Sequence, residues 1–284
     1  MKKALIVALV IALCPCIANA TKPSEMRKQI ESSMLVRGAI ETNADGSVGE
    51  LTIDSPEKLP AGLVDFVQKQ VSAWKFEPVL VDGKPVRARS RMSVRVVARM
   101  IDKDSYSIGI RNANFDGEPP KEGEALSSTK LTPPRYPQNV ARAGASGTVY
   151  VVIKVGKDGR LIDAMVEQVN LKTIGTGAEM SSWRNALADA ALKAARDWTY
   201  APPVKGELAD DEFWSARVPV DFKMGDRIQT GYGKWEVYIP GPRQTIPWSK
   251  EERPGFSPDS LADGGVYMLG MDTGPKLLTP LDGT

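Results

Sequence analysis

The chain contains no histidine among its 284 residues. That absence removes Ser-His-Asp and Cys-His nucleophilic catalysis, histidine acid–base chemistry and the common zinc sites. Cysteine is almost as scarce, with only Cys14 and Cys16, both in the N-terminal segment. Net charge is scarce too. Set Lys2 and Lys3 apart from the 37 basic residues and the remainder balances the 35 acidic ones. A nucleic-acid binder needs a net basic face. The one basic stretch, "VRARSRMSVRVVARM" (86–100), alternates Arg87, Arg89, Arg91 and Arg95 with other residues, as the solvated side of a strand does. No glycine-rich phosphate loop follows a predicted strand. The segments "NADG" (43–46) and "GKDG" (156–159) hold too few acidic side chains for a calcium loop. No metal or cofactor is therefore expected.

Long apolar runs are also missing. The N-terminal "MKKALIVALVIALCPCIANA" has two lysines, an apolar run over residues 4–13 and a small-residue site at Ala18-Asn19-Ala20. This pattern predicts a secretory signal peptide cleaved before Thr21. The run is short for a membrane span, and Pro15 interrupts it. Cleavage would leave a cysteine-free chain in an oxidising compartment, without disulfide or thiolate chemistry.

What is present is a pattern that occurs twice. "WKFEPVLVDGKP" (74–85) and "WTYAPPVKGE" (198–207) both read Trp, any residue, aromatic, any residue, Pro. Each lies in a similar setting. Upstream, Val149, Val151, Ile153 and Val155 alternate before Asp158-Gly159, with Leu161 and Ile162 beyond it. In the first half Val36, Gly38 and Ile40 approach Asp45-Gly46, and Val48, Leu51 and Ile53 leave it. Asp-Gly between alternating runs predicts a hairpin. A helix follows each hairpin. Pro60 suits a first helical turn ahead of the stripe Leu63, Phe66, Val67, Val71 and Trp74. Ser181 or Ser182 is the expected cap before Trp183, Leu187, Ala191, Ala194 and Trp198. Pro78 and Pro202 stop the helices, and Trp74 and Trp198 read as core plugs at the exits. A third strand closes each unit: Met92, Val94 and Val96 share one face, as do Val218, Val220 and Phe222. Pro219 within the latter run suits a sheet edge. The predicted fold class is α+β, built from two modules, each a three-stranded antiparallel sheet packed on one helix.

The second unit resembles the TonB C-terminal domain family. The resemblance rests on Pro134-Arg135-Tyr136-Pro137, Gly147-Thr148-Val149, the Asp158-Gly159 hairpin, the Ala-rich helix, Trp198-Thr199-Tyr200-Ala201-Pro202 and the closing run at 218–222. It covers about residues 131–224. A weaker copy spans about 34–97 and lacks the Pro-x-Tyr-Pro lead-in. The resemblance implies a periplasmic, non-enzymatic binding protein that adds an extended segment of an outer-membrane transporter to an exposed sheet edge. It places that edge at Ala216, Arg217, Val218, Val220 and Phe222, with a second contact region at Thr132, Pro133 and Tyr136. A membrane-anchored transducer of the same type is the alternative if the N-terminal segment is retained. The cleavable N-terminus and the lack of a long Pro-rich spacer favour a soluble relative without direct motor coupling. A histidine-free envelope hydrolase is the remaining alternative. Glu207, Asp210, Asp211 and Glu212 would be its carboxylates, but they read as a solvated acidic loop.

The expected partition is a signal at 1–20, a divergent module at 21–100, a linker at 101–130, the clearer domain at 131–224 and a Gly/Pro-rich tail at 225–284. Within the tail, a short strand is expected near residues 235–239. Its Trp235, Tyr238, Ile239 and Trp248 are expected to dock back onto the folded units.

Overall fold

The computed structural model describes residues 31–102, 105–117, 120–224, 232–249, 256–261, 264–270 and 274–281. The predicted signal at 1–20 lies outside them. Among the described residues the fold is α+β, with two larger antiparallel sheets, two two-stranded ones and few helices.

The first sheet is built on β1 (Glu31–Thr42) and β5 (Ala88–Asp102), which pair along their length. β2 (Val48–Ile53) returns from the Asp45-Gly46 turn onto the other side of β1. Helix α1 (Leu63–Ser72) follows and buries Leu63, Val67 and Val71. The helix begins later than Pro60: Gly62 caps it at a φ of 77°, and Pro60 lies in the preceding turn, its carbonyl accepting from the Leu63 amide. A small exposed hairpin, β3 (Val79–Val81) and β4 (Lys84–Val86), precedes β5.

β6 (Ser105–Asp116) pairs with the far side of β5. It occupies much of the expected 101–130 linker, which is thereby corrected. The reason it was concealed is a bulge. Arg95 pairs with Asn112 but Val96 with Ile110, leaving Arg111 as the extra residue. The inserted residue changes the phase of alternation, so Ile110, Ala113 and Phe115 reach the first core while Asn112 is buried on the opposite face against Asp259.

The second sheet has the order β13 (Tyr267–Met268), β11 (Phe213–Phe222), β8 (Gly147–Gly156), β9 (Leu161–Leu171). β8 (Gly147–Gly156) and β9 (Leu161–Leu171) form the Asp158-Gly159 hairpin, and β11 (Phe213–Phe222) runs antiparallel to β8. A short helix α2 (Gln138–Arg142) leads into β8. Helix α3 (Gly177–Ala195) covers one face and buries Met180, Trp183, Leu187 and Ala191. Its start is corrected to an earlier position. Thr176 is the N-cap, and Thr176 and Glu179 exchange the reciprocal bonds of a capping box, ahead of Ser181 and Ser182. β7 (Ser127–Lys130) pairs with β10 (Thr199–Ala201) beside it.

In both halves the repeated Trp motif performs the same task. Trp74 and Phe76 are buried in the first core, Trp198 and Tyr200 in the second. The Phe76 amide donates to the Gly46 carbonyl at 2.8 Å, and the Tyr200 amide donates to the Gly159 carbonyl at 2.9 Å. The helix exit is thus tied to the hairpin turn in each case. Phe115 adds edge-on ring contacts to Trp74 and Phe76, at centroid distances of 5.9 and 4.9 Å. Burying each large ring contributes roughly 1.5–3 kcal/mol.

Residues 236–239 and 256–261 of the tail cross the sheet faces opposite the helices, whereas Leu277 and Leu281 pack into the first core and Leu277 bridges Phe76. β12 (Glu236–Tyr238) pairs with β1 at residues 31–33, and the next residue, Ile239, bridges Leu171 of β9. A single turn at Pro258–Ser260 lies against β5 and β6. Arg95, expected on a solvated face, is drawn into this contact. It donates to the Asp259 carbonyl and the Ser33 hydroxyl, and its guanidinium stacks over Tyr238. Arg87, Arg89 and Arg91 remain exposed. β13 (Tyr267–Met268) adds to β11.

Candidate functional site

The site predicted from sequence is the outer edge of β11. A strand residue sends its side chain to one face and its main-chain N–H and C=O to one edge, each alternating along the chain. On β11 the side chains of Ala216, Val218, Val220 and Phe222 point into the second core beneath α3. Their packing leaves these side chains closed to a partner, so the strand offers a partner its main chain. The intervening residues face outward with their main chain. The Ser215 carbonyl accepts from the Leu269 amide at 2.8 Å, and the Pro219 carbonyl from the Gly264 amide at 3.4 Å. Pro219 belongs to this outward set, so the N–H it lacks would have pointed away from β8. The inner ladder loses nothing to the proline.

That edge is partly occupied. Ala216 pairs with Met268 and Arg217 with Tyr267, so the chain's own tail fills the place the sequence assigns to a partner. Among the described residues no strand pairs with the outer edge of β11 beyond those positions. Val266 and Met268 pack against the second core from this edge.

The Arg217 side chain is buried too. Its side chain is 3% exposed and holds Glu167, itself 2% exposed, by two bonds of 2.5 and 3.0 Å. Arg243 from the tail adds bonds of 2.8 and 2.6 Å to the same carboxylate. Glu167 reaches this position from a bulge in β9, where Tyr150 pairs with Gln168 but Val151 with Val166. Phe256 lies over the Arg217 guanidinium at 5.0 Å. Such a pair is tolerated in the interior because both charges are bonded; removing one partner leaves an uncompensated buried charge. Glu167 was not singled out in the sequence. The available signal was a charged residue flanked by apolar ones in each of two strands, Glu167 in "DAMVEQV" (163–169) and Arg217 in "SARVPVDF" (215–222).

The lead-in residues meet the edge strand. The Tyr136 ring lies edge-on to Phe222 at 5.6 Å, and its hydroxyl donates to the Ala145 carbonyl at 2.5 Å. Burial, with the nearby Asp221 charge, pushes the Tyr136 hydroxyl up to about 12. Thr132 is fixed by its carbonyl, which accepts from the Trp198 indole at 2.9 Å. The repeated Trp motif therefore also anchors the lead-in. Pro133 is exposed. Asp221 is buried beside Lys172 and Lys223, at 3.1 and 2.7 Å, and accepts from Thr148. Burial alone would raise its carboxyl, but the two ammonium groups outweigh that and hold it below the usual range.

Glu207, Asp210, Asp211 and Glu212 all lie exposed in a turn. Among the described residues, no group of His, Cys, Asp and Glu side chains is arranged to hold a metal ion, and no helix is long and apolar enough to cross a membrane.

No protein-family model matches the chain. Curated relatives do. "Protein tonB2" of Pseudomonas aeruginosa is 34% identical over 91 residues, covering 32% of this chain and 28% of the relative. "Protein TonB" of Xanthomonas campestris pv. campestris is 33% identical over 100 residues, covering 35% of this chain and 38% of the relative. The chain thus spans about a third of the length of these relatives. A solution NMR structure of the Pseudomonas aeruginosa TonB CTD aligns with 36% of this chain and 89% of its own at 20% identity, with a TM-score of 0.25. At that score the fold rests on the topology above and not on the alignment. Over about a third of its length, the chain is similar to TonB proteins.

Proposed function

We propose that this protein is a non-enzymatic periplasmic binding protein of the TonB C-terminal type, which engages extended peptide segments by strand addition in TonB-linked envelope transport. The observation that carries this reading is the state of β11: its outer edge already accepts an added antiparallel strand, from the chain's own tail. An edge of that kind offers main-chain bonds to any extended segment, and neighbouring pockets select among side chains. The partner is a segment of an envelope protein, such as the N-terminal segment of an outer-membrane transporter. It adds to the main chain of residues 215–219, with Thr132, Pro133 and Tyr136 at the adjoining rim.

The two halves are read as divergent copies of one module. Their support is the shared connection order, hairpin then helix then a strand returning beside the first, and the identical tie from the Trp motif to the turn glycine. In the first copy β6 covers the side of β5 that corresponds to the outer edge of β11. The first copy and the tail serve as a frame that presents the second.

The reading is tested by titrating isotope-labelled protein with synthetic peptides from the N-terminal segments of outer-membrane transporters. Saturable shifts of the backbone resonances of residues 215–219 are expected. Shifts scattered over other surfaces, or none at millimolar peptide, would refute it.

A further inference from the structure

Resting on the strand-addition reading, we propose that the outer edge of β11 is a strand-exchange site. Residues 264–269 hold it in the resting chain, and a partner segment displaces them if it carries apolar residues two positions apart beside a small residue.

The tail shows what the edge accepts. Two residue pairs, Ala216 with Met268 and Arg217 with Tyr267, fix an antiparallel register. In that register Val266 and Met268 reach the second core, with the Met268 sulfur 3.1 Å from the Leu126 amide nitrogen, while Tyr267 takes the opposite face. Apolar residues at spacing two are the requirement this geometry sets. Opposite Pro219 the incoming strand finds an acceptor and no donor. The tail places Gly264 there, with its amide 3.4 Å from the Pro219 carbonyl. A carbonyl of the incoming strand gains nothing at that point, so a small, adaptable residue is favoured.

The tail's hold is short. Its ladder to β11 covers two pairs, against the ten residue pairs that bind β11 to β8. Its advantage is its tether, which gives a local concentration on the order of millimolar for a flexible link. Main-chain bonds do not distinguish the tail from another extended segment. An external strand with the same side-chain pattern therefore competes on equal terms apart from the tether, and its apparent affinity falls by the fraction of molecules whose edge is open.

The chain supplies its own probe. A labelled peptide of residues 264–270, "GGVYMLG", is titrated by fluorescence anisotropy into the full chain and into two variants. Leu269→Pro removes the amide that donates to the Ser215 carbonyl, and Met268→Asp removes an apolar anchor. Thermal melts establish that each variant is folded. The expected result is binding at least tenfold tighter to either folded variant than to the parent chain, with backbone shifts at residues 215–219. Equal affinity for parent and variants overturns the proposal, as does no binding to either variant. If transporter peptides bind the parent while the tail peptide binds no variant, exchange fails and strand addition survives. If the tail peptide binds the variants while transporter peptides bind nothing, the exchange site is supported and the assigned partner is wrong.

Discussion

Gly46 and Gly159 show at the residue scale why the Trp motif recurs. Both turn at positive φ, 76° and 73°, and a Cβ added to either would lie 1.9 Å from the Phe76 carbonyl oxygen or 2.1 Å from that of Tyr200. The turn must be glycine both for its conformation and for the approach of the helix exit. Gly159→Ala is expected to cost at least about 2 kcal/mol in urea unfolding, combining left-handed strain with a backbone collision. Gly144→Ala is the control: it has a φ of 62° but nothing within 4 Å of its Cβ, so it should cost markedly less. Asp221 sets a second expectation. Its carboxyl is lowered in the folded state, so it contributes stability above the ordinary carboxylate range and loses it as pH falls through the folded value. Thermal melts across acid pH should show the parent losing stability below a pH of about 4. Asp221→Asn should flatten that limb; an unchanged slope would remove Asp221 from the explanation. At this scale the sequence was legible where apolar spacing decided the outcome, as for Trp74, Trp198 and Val218. It was not legible for Arg217, whose partner Glu167 lies on a different strand.

The elements follow the same division. The hairpins, the two helices and the closing strands lie where alternation, Asp-Gly and the Trp-to-Pro stops place them, because those signals are local. β6 was missed because its bulge at Arg111 shifts the apolar phase partway along the strand. Bulges also explain the buried charges. Arg111 at one bulge bonds Glu31 at 2.7 Å, and Glu167 at the other bonds Arg217. In each sheet the extra residue re-aims a charged side chain onto the tail-covered face. The start of α3 was legible in principle, since Thr176-x-x-Glu179 is a capping-box pattern, but Ser181 and Ser182 offered a nearer cap to the first apolar residue. Thr176→Ala should cost about 1 kcal/mol in chemical denaturation, and Thr176→Ser should restore most of it. No loss in the alanine variant would show that the box contributes nothing beyond the packing of α3.

The molecule as a whole is held by a segment whose sequence gave little away beyond its aromatics. Residues 236–239 pair first with β1 of one sheet and then with Leu171 of the other, so one short run of backbone belongs to both. Gly and Pro along the tail suggested irregular structure, and the tail makes its contacts through isolated pairs and side chains, which carry no periodicity to read. Ile239→Pro removes the amide that donates to the Leu171 carbonyl. It should turn a single calorimetric unfolding transition into two; one unchanged transition would mean that the sheets are coupled elsewhere. The same tail covers the β11 edge, so the frame and the proposed site are joined through one chain segment. The most direct test of that site is an isotope-filtered NOE measurement on labelled protein with an unlabelled transporter peptide. Cross-strand contacts from the peptide backbone to residues 215–219 are predicted, with loss of the Tyr267–Arg217 contacts. Peptide contacts confined to β6, or a bound peptide that leaves the Tyr267–Arg217 contacts intact, would contradict strand addition at β11.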